Sequence, residues 1–270
     1  MAEISVAGYA VHVATGGQPL DIHKPAVLLL HGAGLDHSVW ALQARYLAHH
    51  GHTVIAPDLP GHGRSAGTSL PSIDELSRWS WALLDVLGID RCAAAGHSMG
   101  ALIALRMAAT QPARIRALCL IAAAAEMPVH PDLLAAARDD LGKASELIAM
   151  WGFGPAGQVG GNTMPGLQMR LAGERLIESS GPGVLASDLS ACDGYRSGVS
   201  DAAVIAAPTR LLLGAEDRMT PPSKGRQLAA GMGKVPGGAR ITVLAGCGHM
   251  IMAERPNEAT DTLFAASANA

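Results

Sequence analysis

Hydrophobic and polar positions along the chain fall into two alternating rhythms. Short, continuous apolar runs at Ala26–Leu30 (AVLLL), Thr53–Ala56 (TVIA), Cys92–Ala95 (CAAA), Ala117–Ala123 (ALCLIAA), Thr209–Leu213 (TRLLL) and Ile241–Leu244 (ITVL) read as strands buried on both faces. Between them, segments with helical spacing run over Val39–His49, Ile73–Leu87, Gly100–Thr110, Ser223–Met232 and Asn257–Ala266. Ser72 followed by Glu75 is a capping-box pattern and sets the start of the second helix. Strand and helix in alternation predict βαβ units and a mostly parallel sheet covered on both faces. The stretch Ile4–Val13, ahead of Gly16-Gly17, adds an antiparallel hairpin strand.

The rhythm breaks between Glu126 and about Pro208. No strand-like run occurs there, while helical spacing recurs over Asp132–Leu141, Ala144–Met150, Leu167–Ser179 and Val184–Cys192, punctuated by glycine and proline. The expected organisation is a core made of residues 1–125 and 208–270, interrupted by a helical cap at 126–207. At 270 residues the chain is long enough for about two domains by length alone. The placement of the chemical motifs on both sides of the insertion argues instead for one catalytic unit.

Composition narrows the function classes. The 20 Lys plus Arg against 23 Asp plus Glu leave a formal charge of −3, with no long basic run, so neither a nucleic acid nor an anionic membrane surface is an expected partner. A mean hydropathy of +0.23 raises the membrane question. The longest apolar run, Ala117–Ala125, is far short of the roughly 20 residues that span a bilayer, so no transmembrane helix is expected. Met1-Ala2-Glu3-Ile4-Ser5 lacks the features of a secretory signal. Cys92, Cys119, Cys192 and Cys247 are widely spaced with no C-x-x-C pair, which suggests free thiols and a cytoplasmic location. His49, His50 and His52 are adjacent at a helix end and do not converge on an ion, so no metal is expected.

The candidate chemistry centres on Gly96-His97-Ser98-Met99-Gly100, a G-x-S-x-G lying between a strand and a helix. In that context the motif is a nucleophile elbow: small residues on either side let the turn close, and the serine hydroxyl projects at the carboxyl edge of the sheet. Serine is a weak nucleophile and needs an imidazole to accept its proton and a carboxylate to orient that imidazole. Asp217 in the loop after TRLLL and His249 in the loop after ITVL occupy the required places in the required order. Glu216, beside Asp217, and Glu126, after an earlier strand, are the competitors for the acid. His31, His62 and His97 stand beside glycines and are read as loop-bonding side chains, Asp58 as a turn residue, and Cys247 as a small buried filler.

At these residues the chain resembles the α/β-hydrolase superfamily, specifically its cofactor-free, esterase-like members with a helical cap. The resemblance rests on His31-Gly32-Ala33-Gly34, Pro57-Asp58-Leu59-Pro60-Gly61-His62-Gly63-Arg64-Ser65, GHSMG, the Gly214–Asp217 loop and Gly248-His249, in family order from about residue 27 to 250. It implies an α/β fold with a mostly parallel eight-stranded sheet flanked by helices and a helical cap. It further implies Ser98 as nucleophile, His249 as general base and acid, Asp217 as orienting acid, and the backbone N–H groups of Ala33 and Met99 as the oxyanion hole, with no cofactor. A tetrahedral intermediate carries its charge on the former carbonyl oxygen, which two preorganised amides stabilise.

The expected activity is hydrolysis of a small carboxylic ester, lactone or thioester through an acyl-enzyme. Serine at position 98 excludes the dehalogenases and epoxide hydrolases of the superfamily, which carry Asp there. Carbon–carbon bond hydrolases, perhydrolases and acyltransferases share the triad and stay open as alternatives, as does a non-catalytic small-molecule-binding relative. Candidate substrate-binding residues are Leu35, Trp40, Met127, Met150, Trp151 and Met250; Phe153, Met164 and Met169 add to an apolar, methionine-rich cap.

Overall fold

The computed structural model describes residues 4–158 and 168–267. Its elements run in chain order β1 (Ser5–Val6), β2 (Tyr9–Ala10), β3 (Val13–Ala14), β4 (Ala26–Leu30), α1 (Ala41–His49), β5 (Thr53–Pro57), α2 (Ile73–Val86), β6 (Cys92–His97), α3 (Met99–Thr110) and β7 (Ile115–Ile121). Helices α4 (Pro131–Asp139), α5 (Leu141–Gly152), α6 (Pro155–Gln158), α7 (Met169–Glu178), α8 (Val184–Gly194) and α9 (Gly198–Val204) follow. The chain closes with β8 (Thr209–Gly214), α10 (Pro222–Gly231), β9 (Arg240–Leu244), α11 (Ile251–Glu254) and α12 (Pro256–Ser267).

The main sheet has the order β3-β5-β4-β6-β7-β8-β9, parallel throughout except for β3, which pairs antiparallel with β5 through Val13 opposite Pro57. Alternate residues of the apolar runs feed two cores. Leu28, Leu30, Ala94, Leu118, Leu120, Leu211 and Leu213 face the side covered by α2, α3 and α10. Val27, Leu29, Ala93, Ala95, Ala117, Cys119 and Leu212 face α1 and α12. Continuous apolar runs are what a sheet buried on both sides requires.

One expectation needs correcting. The sheet has seven strands among the described residues, where eight were expected. Ala7 and Gly8 both take positive φ (51° and 85°), the geometry of a tight hairpin turn. That turn commits residues 5–10 to a separate two-stranded ribbon, β1 with β2, and leaves only Val13–Ala14 to join the main sheet.

Within 126–207, helices α4, α5, α7 and α8 share a third apolar cluster that also takes in Leu35 and Met250 from loops of the sheet region. Helix α9 packs instead on α3 and α10. Its Gly198 lies so close to the Ala125 carbonyl that a Cβ there would come within 1.7 Å of the oxygen. The chain is therefore already back against the sheet's own helices before β8 begins. No described helix is long and apolar enough to cross a membrane.

Candidate active site

Ser98 sits between β6 and α3 with φ 53° and ψ −115°, a region that non-glycine residues rarely enter. The strain is maintained by packing that only glycine permits on either side. A Cβ on Gly96 would lie 2.0 Å from the Gly100 carbonyl oxygen, and one on Gly100 would lie 2.2 Å from that of Leu30. The Ser98 amide is held by the Ile121 carbonyl at 3.0 Å. Met99 opens α3, so its N–H belongs to the first turn, where amides have no intrahelical acceptor and the helix dipole is positive. Ala33 borders the same cavity as Ser98.

Asp217 and His249, brought from the loops after β8 and β9, meet in a buried pair. Asp217 Oδ2 accepts from His249 Nδ1 at 2.8 Å, while Oδ1 accepts the Met219 and Thr220 amides at 2.9 and 2.8 Å. Burial alone would raise the Asp217 carboxyl, but the charge and hydrogen bond of His249, with the donors from Thr220, hold it below the ordinary carboxylate range. Asp217 is thus a carboxylate suited to fixing the imidazole with Nδ1 engaged, which leaves Nε2 for proton transfer. Glu216 and Glu126 are exposed, and neither takes this place.

Three further side chains support this arrangement, and two of them, Thr220 and Glu254, are silent in the sequence. The Thr220 hydroxyl lies 2.7 Å from Asp217 Oδ2, 3.1 Å from His249 Nδ1 and 3.0 Å from the Ala122 carbonyl, itself at positive φ. His97 is buried beneath His249 and donates from Nε2 to the His249 carbonyl at 3.0 Å. Burial, then the proximity of His249, pushes its pKa down to about 3, so it stays neutral. Glu254 accepts from the Gly248 amide at 3.0 Å and from the Gly154 amide at 2.8 Å. It ties the histidine loop to the end of α5, whose Gly152 carbonyl also accepts the His249 amide at 2.6 Å. No motif marks Thr220 or Glu254, because each acts only on neighbours supplied by the fold.

Ser98, His249 and Ala33 open onto a cavity of about 340 Å³. Of the candidate substrate-binding residues, Leu35, Met127, Trp151 and Met250 line this cavity, joined by Val129, Leu133, Ile148, Leu189 and Met219, while Arg218 and His130 add polar groups to its wall. Two expectations are corrected. Trp40 is fully buried among Ala44, Leu47 and Leu29 on the far face of the sheet, because it closes the short turn that leads into α1. Met150 is 42% exposed, since the phase of α5 directs Ile148 and Trp151 to the cavity and Met150 away from it. Phe153 is buried in the cluster shared by α4, α5, α7 and α8, Met169 packs at its edge, and Met164 lies outside the described residues.

His12, His37 and Asp58 bring metal-ligand atoms within 4.8 Å of one another. Asp58 is already engaged there, accepting from His37 Nδ1 at 2.7 Å and from the His37 and Arg64 amides at 2.8 and 2.9 Å. Cys247 is fully buried, and burial pushes its thiol up to about 12.

Comparison with known proteins identifies the family and the fold. Residues 27–262 match the model of the alpha/beta hydrolase family. The chain is 44% identical over 110 residues to the dihydrolipoyllysine-residue acetyltransferase component of an acetoin cleaving system from Pseudomonas putida, covering 40% of this chain and 28% of that protein. It spans less than half the length of three further curated relatives matched at 30–35% identity. Over 257 residues it is 28% identical to a pimeloyl-[acyl-carrier protein] methyl ester esterase from Aromatoleum aromaticum, covering 88% of this chain and 96% of that one. Among solved structures, an enol-lactonase from Burkholderia xenovorans superposes with a TM-score of 0.84 at 25% identity, covering 96% of this chain and 97% of the other. With most of its length matched and the sheet, elbow and loops in place, the chain belongs to the alpha/beta hydrolase family.

Proposed function

We propose that this protein is a serine hydrolase that cleaves small, largely apolar carboxylic esters or lactones through an acyl-enzyme on Ser98. The observation that carries the reading is the buried Asp217–His249 pair at 2.8 Å, whose His249 borders the same cavity as a serine held at an otherwise unfavourable backbone angle. His249 Nε2 takes the Ser98 proton as Oγ attacks the acyl carbon, and Asp217 stabilises the imidazolium without itself becoming protonated. The amides of Met99 and Ala33 receive the oxyanion. His249 then passes the proton to the departing alkoxide oxygen, and the same groups activate water to release the acid.

The named activities of the Burkholderia lactonase and the Aromatoleum esterase both open an acyl C–O bond, which supports this choice among triad chemistries. Residues 1–125 and 208–270 act as one catalytic unit in this reading, with 126–207 supplying the apolar roof. Leu133, Ile148 and Leu189 give the cavity an apolar wall suited to an aliphatic substrate. Release of p-nitrophenol from acetate, butyrate and octanoate esters tests the proposal: wild type turns over and Ser98→Ala does not. Equal rates from both proteins would refute it.

A further inference from the structure

A second buried carboxylate lies on α8, beside the cavity-lining Leu189. Asp188 has no solvent exposure, and its two oxygens meet three donors from the sheet region. Oδ2 accepts from the Gly34 amide at 2.9 Å and from His62 Nε2 at 2.7 Å, and Oδ1 accepts from the Ser69 hydroxyl at 2.7 Å. His62 Nδ1 is in turn 3.0 Å from the Pro60 carbonyl. Both ring nitrogens of His62 therefore face acceptors, and the form that satisfies both is the imidazolium. Burial by itself would lower the His62 pKa; the charge and hydrogen bond of Asp188 outweigh it and raise the value.

The local geometry ties this pair to the chemistry. Leu185, Asp188, Leu189 and Cys192 share one face of α8, spaced three and four residues apart. Leu189 and Cys192 line the cavity, and Leu185 packs on Gly34. Gly34 has φ +66°, and a Cβ there would lie 2.8 Å from Leu185 Cδ1. One residue before it is Ala33. The Gly34 N–H lies in the peptide plane after Ala33 and the Ala33 N–H in the plane before it, joined only through φ and ψ of Ala33. The Leu35 amide donates to the Gly32 carbonyl at 3.2 Å and closes that turn, so holding Gly34 N–H narrows the directions open to the Ala33 amide.

We propose that Asp188 is a positioning residue: seated in α8 and paired with His62, it clamps the Gly32–Gly34 loop so that the Ala33 amide points at the acyl oxygen in the transition state. The inference rests on the serine hydrolase reading and on Ala33 as an oxyanion donor. Seating of the helical segment and readiness of the oxyanion hole thereby become one event.

Two variants test the clamp. Asp188→Asn keeps an acceptor for Gly34 and turns its NH2 to Ser69. The paired variant His62→Leu/Asp188→Leu removes the acceptor and both charges together, so neither charge is left buried alone. With p-nitrophenyl butyrate as substrate and a butyl trifluoromethyl ketone as hemiketal-forming analogue, turnover by wild type and its loss in Ser98→Ala first secure the underlying reading. The paired leucine variant should then lose about 10- to 100-fold in kcat and in analogue affinity alike, with KM changed less than about threefold. Asp188→Asn should fall between it and wild type, losing about three- to tenfold. If the paired variant does not fold, a parallel loss of kcat and analogue affinity in Asp188→Asn supports the clamp. Unchanged kcat and analogue affinity, or a change confined to KM, overturns the clamp while leaving the serine hydrolase reading in place.

Discussion

Two buried histidine–aspartate pairs of nearly equal length, one reaching the cavity through His249 and the other adjoining it beside Leu189, differ in how their remaining hydrogen-bonding groups are used. In the Asp217–His249 pair at 2.8 Å, the carboxylate engages one imidazole nitrogen and leaves the other to the cavity that Ser98 borders. In the Asp188–His62 pair at 2.7 Å, the second nitrogen is taken by the Pro60 carbonyl, and the carboxylate's remaining capacity goes to Gly34 and Ser69. Burial and proximity are common to both. What separates a candidate base from a structural clamp is an imidazole nitrogen without an acceptor of its own.

The largest contrast expected is between the two aspartates. Asp217→Asn should cost on the order of 10³- to 10⁴-fold in kcat, because it favours the wrong tautomer of His249. The matching Asp188→Asn should cost less than about tenfold, since its neighbours need an acceptor but move no proton. Comparable losses in steady-state assays of both would erase the distinction.

A smaller effect is read with pH. An imidazolium cannot accept the Ser98 proton, so kcat/KM for a chemistry-limited ester should be lost on the acid side. Asp217 is held below the ordinary carboxylate range, so its own protonation does not set that loss. A flat profile would remove His249 as the base.

The smallest effect is on stability, and its sign differs between histidines. His62 has a raised pKa in the fold, so its contribution is complete below the unfolded value of about 6.5 and is lost as pH climbs through the folded value. His31 and His97 are pushed down to about 4 and about 3 by burial, so the fold weakens as pH falls from about 6.5 toward those values. The melting-temperature advantage of wild type over His62→Leu/Asp188→Leu should shrink by a few degrees between pH 6 and 9. A constant or growing advantage would contradict an imidazolium at His62.

The sheet was legible because a strand buried on both faces admits almost nothing but apolar residues, as AVLLL and ALCLI demonstrate. Ser98, Asp217 and His249 were marked by nearby glycines that close packing requires: a Cβ on Gly96, Gly100 or Gly214 would lie 2.0, 2.2 or 2.0 Å from a carbonyl oxygen. The apolar wall of the cavity was harder to read. Trp40 and Leu35 stand five residues apart and look equally suited to a pocket, yet the turn into α1 sends one to the core and the other to the cavity. Along α5, Met150 and Trp151 are adjacent, and only the helical phase separates them. Asp188 was invisible because its partners lie 119 to 154 residues away in sequence.

The central claim is that Ser98 is the acylated nucleophile of this cavity, and intact-protein mass spectrometry after treatment with a fluorophosphonate measures it directly. The account predicts one adduct per chain, mapped to Ser98, absent in Ser98→Ala and formed far more slowly in His249→Ala. Labelling of Ser98→Ala to the same extent, or a wild-type protein that takes up no adduct, would contradict it.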